Sequence, residues 1–340
     1  MKLKEFANLL GLSPTTVSRA INGYPEVSQG TRQRVMEAAR KHGYVANASA
    51  RKLAVGRSFL VGIVHPLTTG DMGDTYFLEV LEGFSERLQE AGYEVVIVAE
   101  KPDDPVEAYR RLHQAGTVDA FLVLRTKRFD PRIDYLLDHT DLPFVCYGRT
   151  VRCDEYPWIE FDVYQGAVEA TERLIGFGHH RIGMLSADLS YNFAHMVRSG
   201  FIDTLRKHGL PVHTELLREG AYGRRGAFDY MQQMLSEKEL PSALIVDNGL
   251  SAIGAMRAIE QAGLKVGKDL SLLVFDGLPA DNLMADQITS IRQPNLYGLG
   301  RDLAGFVLRR IDAEDVRTMQ ELRSSALIAG TTDGPHNHAT

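Results

Sequence analysis

Short apolar runs alternate with helical patterns along most of the chain from residue 59 onward. Apolar runs bounded by turn residues predict buried strands, and apolar residues that recur every three or four positions predict amphipathic helices. The predicted strands are 59–64, 94–98, 120–124, 144–147, 158–162, 182–185, 243–246 and 270–275. One predicted helix has Phe77, Val80, Leu81, Phe84 and Leu88 on its inner face. The other predicted helices are 106–114, 164–177, 193–207, 224–236 and 251–261.

These strand–helix units form two series, and the second begins near residue 158. Repeated units of this length predict an α/β fold in which parallel sheets are flanked by helices. Two series predict two lobes with a cleft between them. Ligands of such folds bind beyond the carboxyl ends of the strands.

The first 22 residues predict a helix-turn-helix instead. A first amphipathic run is broken by Gly11, and its apolar face carries Leu3, Phe6, Ala7 and Leu10. Ser13 followed by Pro14 is a helix-start signal, because the serine hydroxyl can cap the first turn and proline lacks only an N–H that would be unpaired there.

The second of these helices has an outer face suited to DNA. Its inner face carries Val17, Ala20 and Ile21, and its outer face carries Thr15, Ser18, Arg19 and Asn22. Such a helix can enter the major groove. Arg19 could then donate two hydrogen bonds to guanine, while the short hydroxyls reach phosphates or base edges.

Two further helices are predicted before the first strand. Ser28 can cap a helix with Val35, Ala38 and Ala39 inward, which ends before Gly43. Asn47 can cap a short alanine-rich helix that stops at Gly56.

This ordered series of motifs resembles the headpiece and hinge of the lactose-repressor/galactose-repressor (LacI/GalR) family of bacterial transcriptional regulators. The matching residues are 16–22, Val27-Ser28, Thr31-Arg32, Gly43-Tyr44 and 47–54. The remainder resembles the family's effector-binding core, through 178–182, Asn248 with 254–256, 274–276 and 290–294.

The resemblance implies a helix-turn-helix headpiece joined by a hinge helix to a two-lobed core that is similar to periplasmic binding proteins. The implied boundaries are 1–45 for the headpiece, 46–57 for the hinge and 58–331 for the core. Lobe one comprises about 58–162 and 294–321, and lobe two about 163–293 and 322–331. The polar, aperiodic segment 332–340 is predicted to be disordered.

For DNA, the resemblance implies a homodimer on a near-palindromic operator, with each headpiece in a major groove. Leu53 of each hinge would wedge into the minor groove and kink the duplex. The residues expected to contact DNA are Leu3, Ser13, Pro14, Thr15, Thr16, Ser18, Arg19, Asn22, Ser28, Thr31, Tyr44, Asn47, Ala50 and Leu53. An isolated helix as short as the hinge is marginal in water, so it would fold only when two hinges pack on DNA.

For the effector, the resemblance implies a small sugar or sugar derivative in the cleft. Asp276 and Asn248 end buried strands, where a carboxylate can accept from paired hydroxyls. The expected wall residues are Tyr222, Arg198, Tyr76, Phe77, Phe193, Asn192 and Gln293. The ligand would release the operator, although the same coupling allows a corepressor, and by linkage DNA must change ligand affinity by the same factor.

Two departures from the family pattern leave the effector's identity open. The family commonly carries an arginine three residues before the Gly200-Phe201 pair, where this chain has Val197. Arg198 lies one position on, which turns a helical side chain by about 100°. Gly277 replaces an acidic or amide residue, so a regulator of the same fold with a non-sugar ligand is an alternative.

Charge supports a modular protein with a nucleic-acid partner. The net charge of -6 hides an asymmetry, because residues 1–57 carry ten basic and three acidic side chains, a net +7. The remainder carries 28 basic and 41 acidic side chains, a net -13. A basic head on an acidic body fits a phosphate-binding module attached to a sensor.

Other functional classes are disfavoured. Two cysteines, Cys146 and Cys153, predict neither a disulfide framework nor a thiolate metal site, and no cofactor is expected. No signal peptide or apolar run of membrane-spanning length is recognised, which predicts a cytoplasmic protein and disfavours a periplasmic solute-binding protein. A sugar-modifying enzyme is a further alternative, but the sequence lacks a nucleophile elbow, a phosphate loop or a metal-ligand spacing. The His179-His180 pair is interpreted as structural.

Overall fold

The computed structural model describes residues 1–21, 24–44, 56–66 and 75–336. The chain divides into two compact units, Met1–Phe59 and Leu60–Thr340. None of the helices in these described ranges is both long and apolar enough to cross a membrane.

In the described part of the first unit, three helices form a small bundle, α1 (Leu3–Leu10), α2 (Pro14–Ile21) and α3 (Gln29–His42). Phe6, Val17 and Val35 are fully buried at its centre, one from each helix. Ser13 Oγ accepts a 3.0 Å hydrogen bond from the Thr16 amide at the start of α2, and Ser28 caps α3 in the same way. The predicted helix starts are therefore confirmed.

The second unit contains two six-stranded sheets. The first sheet has the order β11-β5-β4-β3-β1-β2 and is parallel throughout. Its strands are β1 (Leu60–His65), β2 (Glu94–Ala99), β3 (Ala120–Val123), β4 (Phe144–Tyr147), β5 (Trp158–Phe161) and β11 (Gln320–Arg323). Its helices are α4 (Thr75–Glu90), α5 (Glu107–Gln114), α6 (Pro131–His139) and α11 (Leu296–Ile311).

The second sheet has the order β12-β10-β9-β8-β6-β7, in which β12 alone runs antiparallel to its neighbour. Its strands are β6 (Ile182–Leu185), β7 (Leu217–Arg218), β8 (Ala243–Val246), β9 (Ser271–Phe275), β10 (Thr289–Arg292) and β12 (Ala326–Ile328). Its helices are α7 (Val163–Gly176), α8 (Asn192–Lys207), α9 (Arg224–Leu235) and α10 (Gly249–Gln261).

Helices cover both faces of the second sheet. Ile245 packs with α7 and α8 on one face, while Val246 packs with α9 and α10 on the other. This alternation explains why the strands of the second sheet are apolar on both sides, as parallel strands buried on both faces must be. We call the first sheet with its helices the first lobe and the second sheet with its helices the second lobe.

Within residues 75–336, the chain passes between the lobes three times. Two crossings, after Phe161 and after Arg292, lie near the boundaries that the family resemblance implies. The third was predicted near Glu321, but β11 stays paired with β5 through Arg323, so the chain returns to the second lobe only between Arg323 and Ala326. The backbone hydrogen bonds of β11 to β5 shift this boundary by two residues.

The prediction that residues 332–340 are disordered is wrong for residues 332–336. Thr332 is buried, and its hydroxyl accepts from the Thr289 amide and donates to the Leu272 carbonyl. The carboxylate of Asp333 pairs with Arg173 of α7. Polar residues are ordered here because buried partners on the second lobe satisfy them, which the local sequence does not reveal. Residues 337–340 lie outside the described part of the chain.

Candidate functional site

A cavity of about 160 Å³ lies where the carboxyl ends of the two sheets face each other. Parallel strands bring their carboxyl ends to one edge, so residues that follow different strands meet there. The cavity is lined by His65, Tyr76, Phe77, Val80, Leu124, Arg125, Thr126, Tyr147, Gly148, Glu160, Phe161, Val163, Phe193, Val197, Tyr222, Asp247, Asn248, Phe275, Asp276, Gln293 and Leu296.

Seven of the nine residues predicted for the effector line this cavity. They are Tyr76, Phe77, Phe193, Tyr222, Asn248, Asp276 and Gln293. The first two come from α4 of the first lobe, and the others come from the second lobe or from the crossing that follows β10. The aromatic side chains supply apolar faces, and the carboxylate and amides supply polar partners, a combination typical of small-molecule sites.

The other two predicted residues do not line the cavity. Arg198 donates a 2.8 Å hydrogen bond to Glu219 on the outside of the second lobe, while Val197 faces the cavity. The prediction for Arg198 is therefore wrong in this structure, because the one-residue step turns its side chain away. Asn192 instead donates its side-chain amide to Oε1 of Glu160, 3.0 Å away.

Asp276 is held at the centre of a short chain of hydrogen bonds. Its backbone is left-handed, with φ of 66°, which is uncommon for a non-glycine residue and typical of functional sites. Its Oδ1 accepts a 3.0 Å bond from Gln293 Nε2, and Gln293 Oε1 accepts from the Tyr147 hydroxyl. Burial and the nearby Asp276 carboxylate raise the pKa of Tyr76, so this phenol stays protonated.

Asn248 has a structural function in addition to lining the cavity. Its Oδ1 caps α10 by accepting from the Ser251 amide at 2.8 Å, and its Nδ2 donates to Asp247 Oδ1 at 2.7 Å. Asp247 is fully buried and also accepts from the Ala187 amide. Burial raises the pKa of Asp247 to about 7, because neither donor carries a charge that would offset desolvation.

The sequence analysis missed several polar lining residues. Arg125, Thr126, Tyr147, Glu160 and Asp247 all lie at or just after the end of a strand. That position was the available signal, since Asp276 and Asn248 were found by it.

Arg125 reaches across the cavity to the second lobe. Its guanidinium carbon lies 4.8 Å from the ring centroid of Tyr222, a cation–π distance. Its backbone is left-handed, with φ of 51°, and its carbonyl accepts a 2.9 Å bond from the buried Arg132. Arg132 in turn forms a bidentate ion pair with the buried Asp130.

The two lobes are also joined beside the cavity through backbone hydrogen bonds. The Asn192 amide donates to the Thr126 carbonyl at 2.9 Å, and the Arg128 amide donates to the Ser190 carbonyl at 2.8 Å. We call this pairing of 126–128 with 190–192 the interlobe bridge. The loop that carries Arg125 therefore both lines the cavity and contacts the opposite lobe.

In the first unit, the predicted DNA-contacting residues divide into exposed and structural ones. Exposed or partly exposed on or beside α2 are Ser13, Pro14, Thr15, Thr16, Ser18 and Arg19. Ser28 and Thr31 lie in the first turn of α3, where the Ser28 hydroxyl is within 2.9 Å of the Thr31 hydroxyl. Asn22, Asn47, Ala50 and Leu53 lie outside the described residues, as does most of the predicted hinge.

Leu3 and Tyr44 have their side chains against the core of the first unit. Tyr44 stacks on Phe6 with ring centroids 4.2 Å apart, and Leu3 packs on the same cluster. Arg32 and Arg34 of α3 donate to the backbone carbonyls of Tyr24 and Leu10, whereas Arg19 on α2 is exposed. Arg19 is therefore available to a ligand outside the unit.

The described residues include the His179-His180 pair, which the sequence analysis interprets as structural. They contain no group of three or more histidine, cysteine, aspartate or glutamate side chains that could hold a metal ion. The His179 ring lies within hydrogen-bond distance of Ser242 and of the Gly334 carbonyl, which agrees with the structural interpretation of the histidine pair.

Comparison with known proteins gives two family matches. Residues 2–47 match the bacterial regulatory proteins of the lacI family, and residues 61–328 match the periplasmic binding proteins and sugar binding domain of the LacI family. The chain is 34% identical to the HTH-type transcriptional regulator AglR of Rhizobium meliloti (strain 1021), over 98% of this chain and 95% of that protein. It is 32% identical to the HTH-type transcriptional regulator RafR of Escherichia coli, over 98% of both chains.

A solved structure shares the fold over nearly the whole length. The lac repressor dimer bound to operator and the anti-inducer ONPF aligns with a TM-score of 0.80 and 25% identity, covering 98% of both chains. The two relatives with curated functions and this neighbour are all transcriptional regulators by name.

Proposed function

Because this chain belongs to the LacI family of DNA-binding transcriptional regulators, we propose that it binds a near-palindromic operator as a homodimer and is released by a small sugar. Operator binding is carried by α2, whose outer face presents the exposed Arg19 and Thr15 while Val17 and Ala20 are buried. Effector sensing is carried by the cavity between the lobes. The protein would act in the cytoplasm, where the DNA is.

The single observation that best supports the sensor is the convergence on Asp276. This carboxylate of the second lobe accepts from Gln293 of the crossing, and Gln293 accepts from Tyr147 of the first lobe. Tyr76 of the first lobe lies close enough for the carboxylate to raise its pKa. A ligand that hydrogen-bonds to Asp276 would therefore contact parts of both lobes. Such a ligand can change the relative position of the lobes only if it binds one arrangement of the lobes more tightly than another.

A hinge that folds on DNA would transmit this change. We propose that Leu53 of each subunit enters the minor groove at the operator centre, so that movement of the first lobes controls the order of the hinges. Leu53→Ala should then reduce both operator affinity and DNA bending. A Leu53→Ala variant with unchanged operator affinity and unchanged DNA bending would contradict the insertion of Leu53 into the minor groove.

The experiment begins with selection of binding sites from a random double-stranded DNA library, because this selection requires no known operator sequence. Fluorescence anisotropy on the selected site then compares the full chain with Arg19→Ala. We expect a sequence preference that is lost in the variant, and weaker binding as salt rises, because phosphate contacts release counterions. Binding without sequence preference would contradict the assignment.

The sugar is tested on the same complex. Mono- and disaccharides are added to the protein–operator complex, and loss of anisotropy reports release. A sugar that instead increases the affinity of the protein for its operator would be a corepressor, which the same linkage allows. An added sugar that is consumed on incubation would favour the alternative of a sugar-modifying enzyme.

A further inference from the structure

A second, smaller cavity adjoins the one between the lobes. Its volume is about 50 Å³, against about 160 Å³ for the main cavity. Both cavities are lined by Tyr76, Tyr222, Asn248 and Asp276, so these four residues form the boundary between them. We call the smaller cavity the outer pocket, and its other lining residues are Thr75, Gly249, Leu250, Gly277 and Pro279.

The outer pocket lies nearer to the surface than the main cavity does. Thr75 is exposed, and Gly249 and Pro279 are partly exposed. In the wall of the main cavity, by contrast, Val197 and Phe275 are buried. A ligand that fills the main cavity and continues past the boundary therefore enters a pocket closer to solvent.

The volume of the main cavity limits the group that it can hold. An enclosed protein cavity of about 150 Å³ binds one benzene ring. At about 160 Å³, the main cavity therefore has room for one six-membered ring and not for two. The outer pocket holds several water-sized groups, since roughly 10–15 Å³ is enough for one. This space suits the hydroxyl-bearing edge of a second ring whose remainder lies in solvent.

The boundary combines an aromatic ring from each lobe with two polar side chains. Tyr76 belongs to α4 of the first lobe, and Tyr222 lies just before α9 of the second. Aromatic rings supply apolar contact area in small-molecule sites, while a carboxylate such as that of Asp276 accepts hydrogen bonds from hydroxyls. In a glycoside, one ring lies on each side of the glycosidic oxygen. A linkage placed at this boundary would bring both rings next to the same four residues.

Backbone forms much of the remaining wall of the outer pocket. Gly249 and Gly277 carry no side chain, and Gly277 has a left-handed backbone with φ of 77°, which favours glycine. A Cβ atom at Gly249 would overlap the carbonyl oxygen of Gly277, so the close approach of these two segments also requires glycine. Backbone N–H and C=O groups suit a ligand whose hydroxyls both donate and accept.

We propose that the effector is a disaccharide or a longer glycoside, with one ring in the main cavity and the next ring in the outer pocket. This inference rests on the proposed sensor function and names the chemical class of its ligand. A second ring adds contacts, whereas the loss of translational and rotational freedom on binding is incurred once for the whole ligand. The glycoside should therefore bind at least tenfold more tightly than its component monosaccharides.

The experiment is isothermal titration calorimetry of the full chain with matched sugars. The probes are glucose, galactose and fructose, the disaccharides sucrose, trehalose, maltose, melibiose and lactose, and the trisaccharide raffinose. Methyl glucosides and methyl galactosides of both anomeric forms provide a glycosidic oxygen without a second ring. We expect one disaccharide or raffinose to bind at least tenfold more tightly than its component monosaccharides and the matching methyl glycoside. A monosaccharide or methyl glycoside that binds at least as tightly as every glycoside containing it would overturn the proposal.

Filling the outer pocket tests its role. Thr75→Trp and Pro279→Trp each place a large ring at its wall, whereas Gln89→Trp places the same ring at an exposed position near the other end of α4. At least one of the first two variants should weaken disaccharide binding tenfold or more and change monosaccharide binding less than twofold. Gln89→Trp should change neither affinity. Unaltered disaccharide affinity in both pocket variants, or equal losses for both classes of sugar, would overturn the proposal.

The same titrations separate this inference from the sensor function. A monosaccharide as the tightest ligand would leave the sensor proposal intact and defeat only the choice of ligand class. If none of these sugars binds, the sensor proposal fails and this inference fails with it. Operator binding is measured separately and stands on its own result.

Discussion

The side-chain amide of Asn192 donates a 3.0 Å hydrogen bond to Oε1 of Glu160 and so joins the first turn of α8 to the end of β5. The two residues belong to different lobes. Glu160 is buried and also accepts from the backbone and side chain of Arg149. With the interlobe bridge next to it, this bond holds the lobes together on one side of the cavity.

Loss of this bond should weaken effector binding, although Asn192 itself does not line the cavity. In Asn192→Ala the arrangement of the lobes shown here loses one hydrogen bond to a charged group, and we expect affinity for the effector to fall about tenfold. Calorimetric titration with a binding sugar measures the change. Gln261→Ala, at an exposed position of α10, is the control. Unaltered affinity in Asn192→Ala would mean that the bond does not contribute to the ligand-binding arrangement.

Arg19 should determine sequence-specific DNA binding. Removing a side chain that donates two hydrogen bonds to a base costs about 1–3 kcal/mol, so Arg19→Ala should weaken binding to the selected operator by roughly 10- to 100-fold. Arg40→Ala removes an exposed arginine from the last turn of α3 and serves as the control. Anisotropy titrations compare the two. Equal losses in both variants would indicate a general charge effect and not base recognition by α2.

The buried carboxyl of Asp247 should make stability depend on pH. Its pKa in the folded chain is about 7, above the ordinary 3.8, so the folded state binds the proton more tightly than the unfolded state. The stabilisation is full below pH 4 and is lost as pH rises to about 7, by about 1.4 kcal/mol per pH unit. Relative to Asp247→Asn, wild-type unfolding free energy should therefore fall between pH 4 and 7.

Urea unfolding at several pH values measures this difference. Asp286→Asn, which changes an exposed carboxyl of the second lobe, should show no such trend relative to wild type. A difference between wild type and Asp247→Asn that stays constant across this interval would contradict the raised pKa.

The Asp130–Arg132 pair should be essential to the first lobe. Both residues are buried, and Arg132 also donates to the carbonyls of Leu124 and Arg125. Arg132→Met leaves a buried carboxylate unpaired, for which we expect a loss of about 3–5 kcal/mol of unfolding free energy. In the double variant Asp130→Asn with Arg132→Met, part of this loss should return. If the double variant is no more stable than Arg132→Met, the unpaired charge is not the main cost.

Local patterns determined the secondary structure and the strand-end positions of Asp276 and Asn248. Caps and stops such as Ser13, Ser28, Gly11 and Gly43 depend on the backbone within one turn, so they can be read directly from the sequence. Asp276 was found in the same way, because a polar residue that follows a buried apolar run lies at the end of a strand. The helix-turn-helix and the two-lobed α/β fold follow from information of this kind, whereas the family was identified by the resemblance of an ordered series of motifs.

Contacts between distant segments were decided only by the tertiary structure. Arg198 pairs with Glu219, 21 positions away in sequence, and the guanidinium of Arg125 lies over Tyr222 of the opposite lobe. Thr332 is ordered by the Thr289 amide, 43 positions away in sequence. Periodicity encodes which face of an element is buried, but it does not encode which remote segment supplies a hydrogen-bond partner. That choice depends on how the strand ends of both lobes meet in the folded chain.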